Sequence, residues 1–138
     1  MKAGMPCALS MRMRAKNLAE IRVYRKAQEA STAVSTILKR PVFGTDCHLK
    51  DQLSRSSSRV APLIAEGYGQ LTDRHVAVYL GRARGSVLET IGHLEKALKE
   101  QFISATEHSA VADTYDHIGR MLTRWINHLQ ESDWRDRG

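Results

Sequence analysis

The chain has 138 residues, of which 42% are hydrophobic and 26% charged, and its formal net charge is +6. This length and composition are those of one soluble domain that needs no disulfide or metal to fold, which excludes fibrous, disordered and disulfide-stapled classes. No apolar run reaches the roughly 18 residues of a membrane span, and the two cysteines form no pair motif, so we expect a cytoplasmic protein without a membrane partner.

The positive charge is concentrated at the N-terminal end. Residues 1–26 contain seven basic side chains and one acid, whereas residues 27–138 contain fourteen of each sign. Gly4 and Pro6 interrupt the weakly apolar start, so we expect residues 1–16 to form a flexible basic arm rather than a signal peptide. A segment of this kind is typical of proteins that bind nucleic acid, an anionic surface or an acidic partner.

Four helices are predicted within residues 17–131. The first spans residues 17–39 and ends before Pro41, which cannot continue a helix. The second spans residues 46–66, and Pro62 within it predicts a kink. The core positions of the second helix alternate in steps of four and three: Leu49, Leu53, Ser56, Val60, Leu63 and Gly67.

The third and fourth helices, at residues 73–101 and 105–130, repeat this pattern. Their core positions are Val76, Leu80, Ala83, Val87, Thr90, Leu94 and Ala97, then Val111, Tyr115, Ile118, Leu122, Trp125 and Leu129. Alternating steps of four and three are typical of helices packed nearly parallel or antiparallel. With short loops they predict an all-α fold, an antiparallel up-down four-helix bundle at residues 17–131, followed by a C-terminal tail at residues 132–138.

Two local signals refine this prediction. Ser104 and Glu107 fit a capping box that opens the fourth helix. Gly81, Gly85 and Gly92 lie on related faces of the third helix, where each destabilises the helix by about 1 kcal/mol relative to alanine. We interpret them as a packing surface, either inside the bundle or between subunits.

No catalytic or metal-binding motif stands out. The pairs Glu89–His93 and Asp113–His117 each place two ligand-type residues on one helical face, but two ligands fall short of a metal site. Glycine-rich phosphate loops and paired histidines at helical spacing are absent from the sequence. We therefore expect no catalytic residue, no metal and no cofactor.

One enzymatic alternative stays open. Helical-bundle ribonucleases of the HEPN class carry an Arg-x(4–6)-His motif, in which the arginine holds phosphate and the histidine moves a proton. Arg124 and His128 enclose three residues, and Arg120 and His128 enclose seven, so neither pair has the required spacing. A basic residue near a helix C-terminus also compensates the helix dipole.

The middle of the chain contains three distinctive segments: Gln52-Leu53-Ser54-Arg55, Ile64-Ala65-Glu66-Gly67-Tyr68-Gly69, and Ala83-Arg84-Gly85-Ser86 with Glu89. In this combination the chain resembles the bacterial four-helix-bundle family, also called the 23S ribosomal RNA intervening-sequence protein family. The resemblance covers about residues 20–130. The chain departs from the family pattern at Arg59, Leu63, Gln70 and His75.

The resemblance implies an up-down bundle, a homopentameric ring and no established enzymatic activity. One related branch comprises the accessory proteins of diversity-generating retroelements, and a member of that branch would have a reverse transcriptase as a protein partner. The matching positions are expected to form a structural motif, in which Glu66 would pair with Arg84 across the turn. These positions are Glu66, Gly67, Arg84, Gly85, Ser86 and Glu89.

We expect a non-enzymatic bundle that self-assembles and binds RNA or DNA through a basic surface, with an affinity that depends on salt and not on sequence. The expected phosphate contacts are Arg12, Arg14, Lys16, Arg22, Arg25 and Lys26, with Arg55, Arg59 and Arg74 secondary. The alternative is a protein-interaction scaffold that binds no nucleic acid and whose charge is incidental.

Overall fold

The computed structural model describes the backbone of residues 17–137 and the side chains of residues 17–131. The predicted arm at residues 1–16 lies outside this part. Short 3₁₀ turns at Leu18–Glu20 and Pro41–Thr45 precede the first two of four α-helices. The helices are α1 (Arg22–Leu38), α2 (Cys47–Tyr68), α3 (Asp73–Lys99) and α4 (Ala105–Arg137). The predicted all-α, four-helix fold is confirmed.

The core is built from the predicted stripes, with small displacements. All seven predicted positions of α3 are buried, and so are those of α4 apart from the half-buried Val111. In α2, Ile64 is buried in place of the predicted Leu63, which is only half-buried. An α-helix has 3.6 residues per turn, so an apolar stripe with a repeat of 3.5 drifts around the helix and neighbouring positions take over.

Contacts between neighbouring helices show their relative directions. Ser56 of α2 lies beside Thr90 of α3, with their hydroxyl oxygens 3.0 Å apart, whereas Gly67, further along α2, lies beside Tyr79, earlier in α3. These two helices therefore run in opposite directions. α1 packs mainly against α2 and α4, and α3 packs against the same two helices, which places α1 and α3 on a diagonal of the bundle.

Side chains cap three helix starts. Asp46 and Thr72 begin α2 and α3, and each accepts a hydrogen bond from the backbone N–H three residues later, at 3.0 and 3.2 Å. At the start of α4 the Glu107 N–H donates to the Ser104 hydroxyl (3.1 Å), and the Ser104 N–H donates back to the Glu107 carboxylate (2.9 Å). This reciprocal pair confirms the predicted capping box.

The end of α3 has a left-handed residue. Gln101 has a φ of 62°, and the Phe102 N–H donates to the Ala97 carbonyl at 2.9 Å. This arrangement is the Schellman motif, which satisfies carbonyls that the end of a helix leaves free. The Phe102 ring then packs edge-on against Phe43, with ring centroids 5.2 Å apart, so the loop before α2 is joined to the loop before α4.

α2 continues without a break through Pro62. The proline has no N–H, so the carbonyl four residues earlier lacks its usual helical donor. In the preceding turn the hydroxyls of Ser56, Ser57 and Ser58 each donate to the carbonyl three residues before, at 3.4, 3.2 and 3.2 Å. Local bonds of this type are known to bend helices.

The last helix is longer than predicted. α4 extends to Arg137. The prediction of a separate tail at residues 132–138 is therefore wrong for residues 132–137, which continue the helix. The segment 131–137 contains neither proline nor glycine, and without such a residue nothing in the sequence stops the helix before Gly138. None of the described helices combines the length and apolarity that crossing a membrane requires.

Candidate nucleic-acid interface

Three of the predicted phosphate contacts lie together at the start of α1. Arg22 and Arg25 are exposed, and Lys26 is half-buried. No ion pair between described residues holds any of them. We call these three residues the α1 basic end. The other three primary candidates, Arg12, Arg14 and Lys16, lie outside the described residues.

The α1 basic end coincides with the positive end of a helix dipole. The first turn of α1 contains no acidic residue, and its N-cap, Ile21, provides no side-chain hydrogen bond. Cations near a helix N-terminus repel its partial positive charge, whereas an anion there is stabilised. The local positive potential is therefore not compensated within the first turn of the helix, and a negatively charged partner would compensate it.

The secondary candidates on α2 are engaged in ion pairs. Arg55 contacts Asp51 on the same helix at 3.0 Å, and Arg59 contacts Glu89 of α3 at 3.3 Å. All four side chains are at least half exposed. Such surface pairs contribute only about 0–1 kcal/mol, so a phosphate can compete for either arginine.

Arg74 stands apart from the other candidates. It is exposed in the first turn of α3 and lines a surface groove beside Leu129 and Gln130 of α4. Because α1 and α3 lie on a diagonal, Arg74 does not extend the α1 basic end into one continuous patch. The described candidates are thus distributed over three helices.

The expected pair between Glu66 and Arg84 does not form, and both side chains are exposed. Arg84 lies on the side of α3 that faces α4, and the carboxylate of Glu89 pairs with Arg59 instead. Gly67 has a packing role, since a Cβ there would lie 3.1 Å from the Cβ of Tyr79. The remaining members of the motif are Gly85, which is exposed, and Ser86, which is buried.

The glycines of α3 face away from the bundle. A Cβ added at Gly81, Gly85 or Gly92 would have nothing within 4 Å, so packing inside the bundle is the wrong interpretation of these glycines. Val78 and Leu88 share the same face and are 47% and 59% exposed. Together these five residues form a stripe with steps of three and four, which we call the α3 outer face.

Sequence reasoning missed a groove between α3 and α4. It has a volume of about 400 Å³ and is lined by Arg84 from α3 and by Arg120 and Arg124 from α4. We call it the α3–α4 groove. The chain reverses direction near residue 102, between α3 and α4. Residues at equal sequence distance before and after this turn therefore face each other, and this relation could have identified the groove from the sequence. In the sequence, Arg120 and Arg124 stand out only as parts of the nuclease motif.

The residues of the nuclease alternative form no enclosed centre. Nδ1 of His128 lies 3.9 Å from the Glu131 carboxylate, and both side chains are more than half exposed. Arg124 lines the α3–α4 groove. Within residues 17–131, no group of three or more histidine, cysteine, aspartate or glutamate side chains is placed to hold a metal ion.

Comparison with known proteins gives a family and a fold. Residues 19–124 match the model of the family described as "23S rRNA-intervening sequence protein". A crystal structure of a protein with unknown function from the S23 ribosomal protein family of Bacteroides thetaiotaomicron VPI-5482 has a similar fold, with a TM-score of 0.70. The two sequences are 18% identical, and the match covers 75% of this chain and 97% of that one. None of the curated proteins matches the chain.

Proposed function

The chain belongs to the 23S rRNA-intervening sequence protein family, and from this starting point we propose that it is a non-catalytic cytoplasmic bundle that self-assembles and binds nucleic acid. The observation that carries the binding proposal is the uncompensated charge of the α1 basic end. Arg22, Arg25 and Lys26 project from the first two turns of α1 without an ion-pair partner among the described residues. Phosphates would supply the missing negative charge.

The binding proposal is tested by fluorescence anisotropy with a labelled structured RNA and a DNA duplex. The full-length protein should bind either probe at about 50 mM salt and lose orders of magnitude in affinity by about 200 mM. Replacing Arg22, Arg25 and Lys26 with glutamine should weaken binding and flatten the salt dependence, by up to about 0.9 in logarithmic slope for each lost phosphate contact.

A matched control removes the same charge elsewhere, by replacing the exposed Lys50, Lys96 and Lys99 with glutamine. An equal loss in both variants would mean that the net charge matters and the α1 basic end does not. No binding at the lower salt would overturn the proposal and favour a protein-interaction scaffold instead.

The α3 outer face supports the self-assembly part of the proposal. Glycine lowers helix stability by about 1 kcal/mol relative to alanine, and Gly81, Gly85 and Gly92 have no packing neighbour among the described residues that would require them. Small residues allow another helix to approach closely, and Val78 and Leu88 add apolar surface that a second copy would cover. The assembly we propose is the homopentameric ring that the family resemblance implies.

Sedimentation velocity tests this part with a matched pair of variants. Leu88→Arg places a charge in the α3 outer face and should convert the assembly to monomers. Leu71→Arg makes the same change at a residue that is 94% exposed and lies off that face, so it should leave the assembly intact. A monomeric wild type, or an assembly that survives Leu88→Arg, would overturn the proposed interface.

A further inference from the structure

The α3–α4 groove combines positive charge with an apolar floor. Arg84 borders it on α3, and Arg120 and Arg124 border it from successive turns of α4. Its single acidic residue, Asp116, accepts a hydrogen bond from Arg120. Neither Arg84 nor Arg124 has an ion-pair partner among the described residues. Three guanidiniums and one carboxylate therefore leave the groove with a formal charge of +2.

The apolar part of the groove comes mainly from α3. Val87 and Ile91 line its floor, and Leu88, which is 59% exposed, lines it next to the α3 outer face. Opposite them, α4 carries Gly119, where a Cβ would contact the Val87 side chain at 3.5 Å, so the glycine keeps this part of the floor open. Thr123 supplies a neutral hydrogen-bonding group beside the arginines.

This chemistry selects one class of ligand. Guanidinium groups bind phosphate oxygens through two parallel hydrogen bonds, and two unpaired guanidiniums can share one phosphate. The floor of Val87 and Ile91 offers apolar contact to one face of a base. The volume of about 400 Å³ lies in the range of small-molecule sites, about 300–1,000 Å³.

We propose that the α3–α4 groove is a nucleotide site, in which Arg84 and Arg124 hold the phosphate and the α3 floor receives the base. The nucleotide is either free or part of a single strand. The inference goes beyond the proposed function, which places nucleic acid on the α1 basic end. The two sites are independent because they use different residues on different helices.

The test uses the full-length protein and three probes: adenosine 5′-monophosphate, adenosine without the phosphate, and a labelled single-stranded oligonucleotide. Calorimetry measures the first two and anisotropy the third. The groove variant is Arg84→Gln with Arg124→Gln, and the control variant is Lys50→Gln with Lys99→Gln, which removes the same charge elsewhere. Sedimentation velocity of both variants checks that assembly is unchanged, since Leu88 borders both the groove and the α3 outer face.

Adenosine monophosphate should bind more tightly than adenosine, and the groove variant should lose about tenfold or more in affinity, the factor that corresponds to about 1.4 kcal/mol. The Gly119 and Thr123 amide resonances should shift on titration. If only the oligonucleotide binds and only the groove variant loses it, the ligand is a nucleotide within a strand. The proposal is overturned if the groove variant binds both phosphate-bearing probes as the control variant does.

Failure of this proposal is distinguishable from failure of the proposed function. Loss of duplex binding in the Arg22, Arg25 and Lys26 variant, with adenosine monophosphate binding unchanged, would support both sites. Duplex binding that depends on the α1 basic end, combined with no effect of the groove variant on any probe, would leave the proposed function standing and remove the nucleotide site.

Discussion

Arg40, which follows α1, and Glu107, in the first turn of α4, form a two-point ion pair. Nη1 of Arg40 donates to Oε1 of Glu107 at 3.0 Å, and Nη2 donates to Oε2. The same carboxylate accepts the Ser104 N–H that opens α4. The Glu107 side chain thus caps the start of α4 and also connects it to Arg40, just after α1. The hydrogen bonds from Arg40 and from the Ser104 backbone lower the pKa of Glu107 to about 2.

The lowered pKa predicts a pH-dependent contribution of Glu107 to stability. The ordinary value is 4.5, so the contribution is fully present above that pH and is lost as the pH falls through about 2. Glu107→Gln should therefore lower the thermal midpoint at pH 7, and the difference from wild type should shrink below pH 4.5. Glu95→Gln, on the exposed surface of α3, serves as the control. A difference that stays constant down to pH 2 would contradict this assignment.

The buried hydroxyl pair between α2 and α3 gives a second prediction. Thr90 and Ser56 are fully buried, with their oxygens 3.0 Å apart. Thr90→Val keeps the shape but leaves Ser56 without this partner, and it should lower the free energy of unfolding by about 1–2 kcal/mol. Urea titration of Thr90→Val, Ser56→Ala and the double variant should reveal coupling between the sites.

Thr114→Val is the matched control for Thr90→Val. Its hydroxyl donates only to the Ala110 carbonyl of its own helix, at 3.0 Å, so its loss should have a smaller effect. Strict additivity of the Ser56 and Thr90 changes would show that the hydroxyl pair contributes nothing specific to the packing of α2 on α3.

The positive φ of Gln101 predicts a stabilising substitution. A left-handed backbone costs a residue with a Cβ on the order of 1 kcal/mol, a cost that glycine avoids. Gln101→Gly should therefore raise the free energy of unfolding by about 0.5–1 kcal/mol. Glu100→Gly provides the comparison, since φ at residue 100 is −77° and glycine gains nothing there. Equal effects of the two changes in chemical denaturation would refute the argument.

Two glycines with different surroundings should respond in opposite directions to alanine. A Cβ at Gly67 would lie 3.1 Å from the Cβ of Tyr79, so Gly67→Ala should destabilise the fold by about 1–3 kcal/mol. A Cβ at Gly92 meets nothing within 4 Å, so Gly92→Ala should stabilise α3 by up to about 1 kcal/mol. Both are measured by urea unfolding in the Leu88→Arg background, which is expected to be monomeric. Stabilisation by Gly67→Ala would contradict the close approach of α2 and α3.

The helices and their buried faces could be predicted from the sequence because both depend on local periodicity. Leu80 and Leu94 of α3 are buried as their spacing predicts. Features that depend on how two helices pack together could not be predicted in this way. The sequence predicts a pair between Arg84 and Glu66 because the two positions flank one turn, whereas packing orients Arg84 towards α4. The ion pairs between helices also depend on the packing of the helices. The pair between Arg59 of α2 and Glu89 of α3 is an example.

The buried hydroxyl pair also implies that the helices differ in how readily they open locally. Ser56 and Thr90 tie α2 to α3, whereas the buried positions of α1 carry only apolar side chains. Four of these six are smaller than leucine or isoleucine, two being valine and two alanine. Less buried apolar surface means a smaller free energy for opening. Backbone amides of α1 should thus exchange with deuterium faster than those of α2 and α3. The cations of the α1 basic end are thus carried by a helix that should open more readily than α2 and α3, so a bound polyanion should slow exchange in α1.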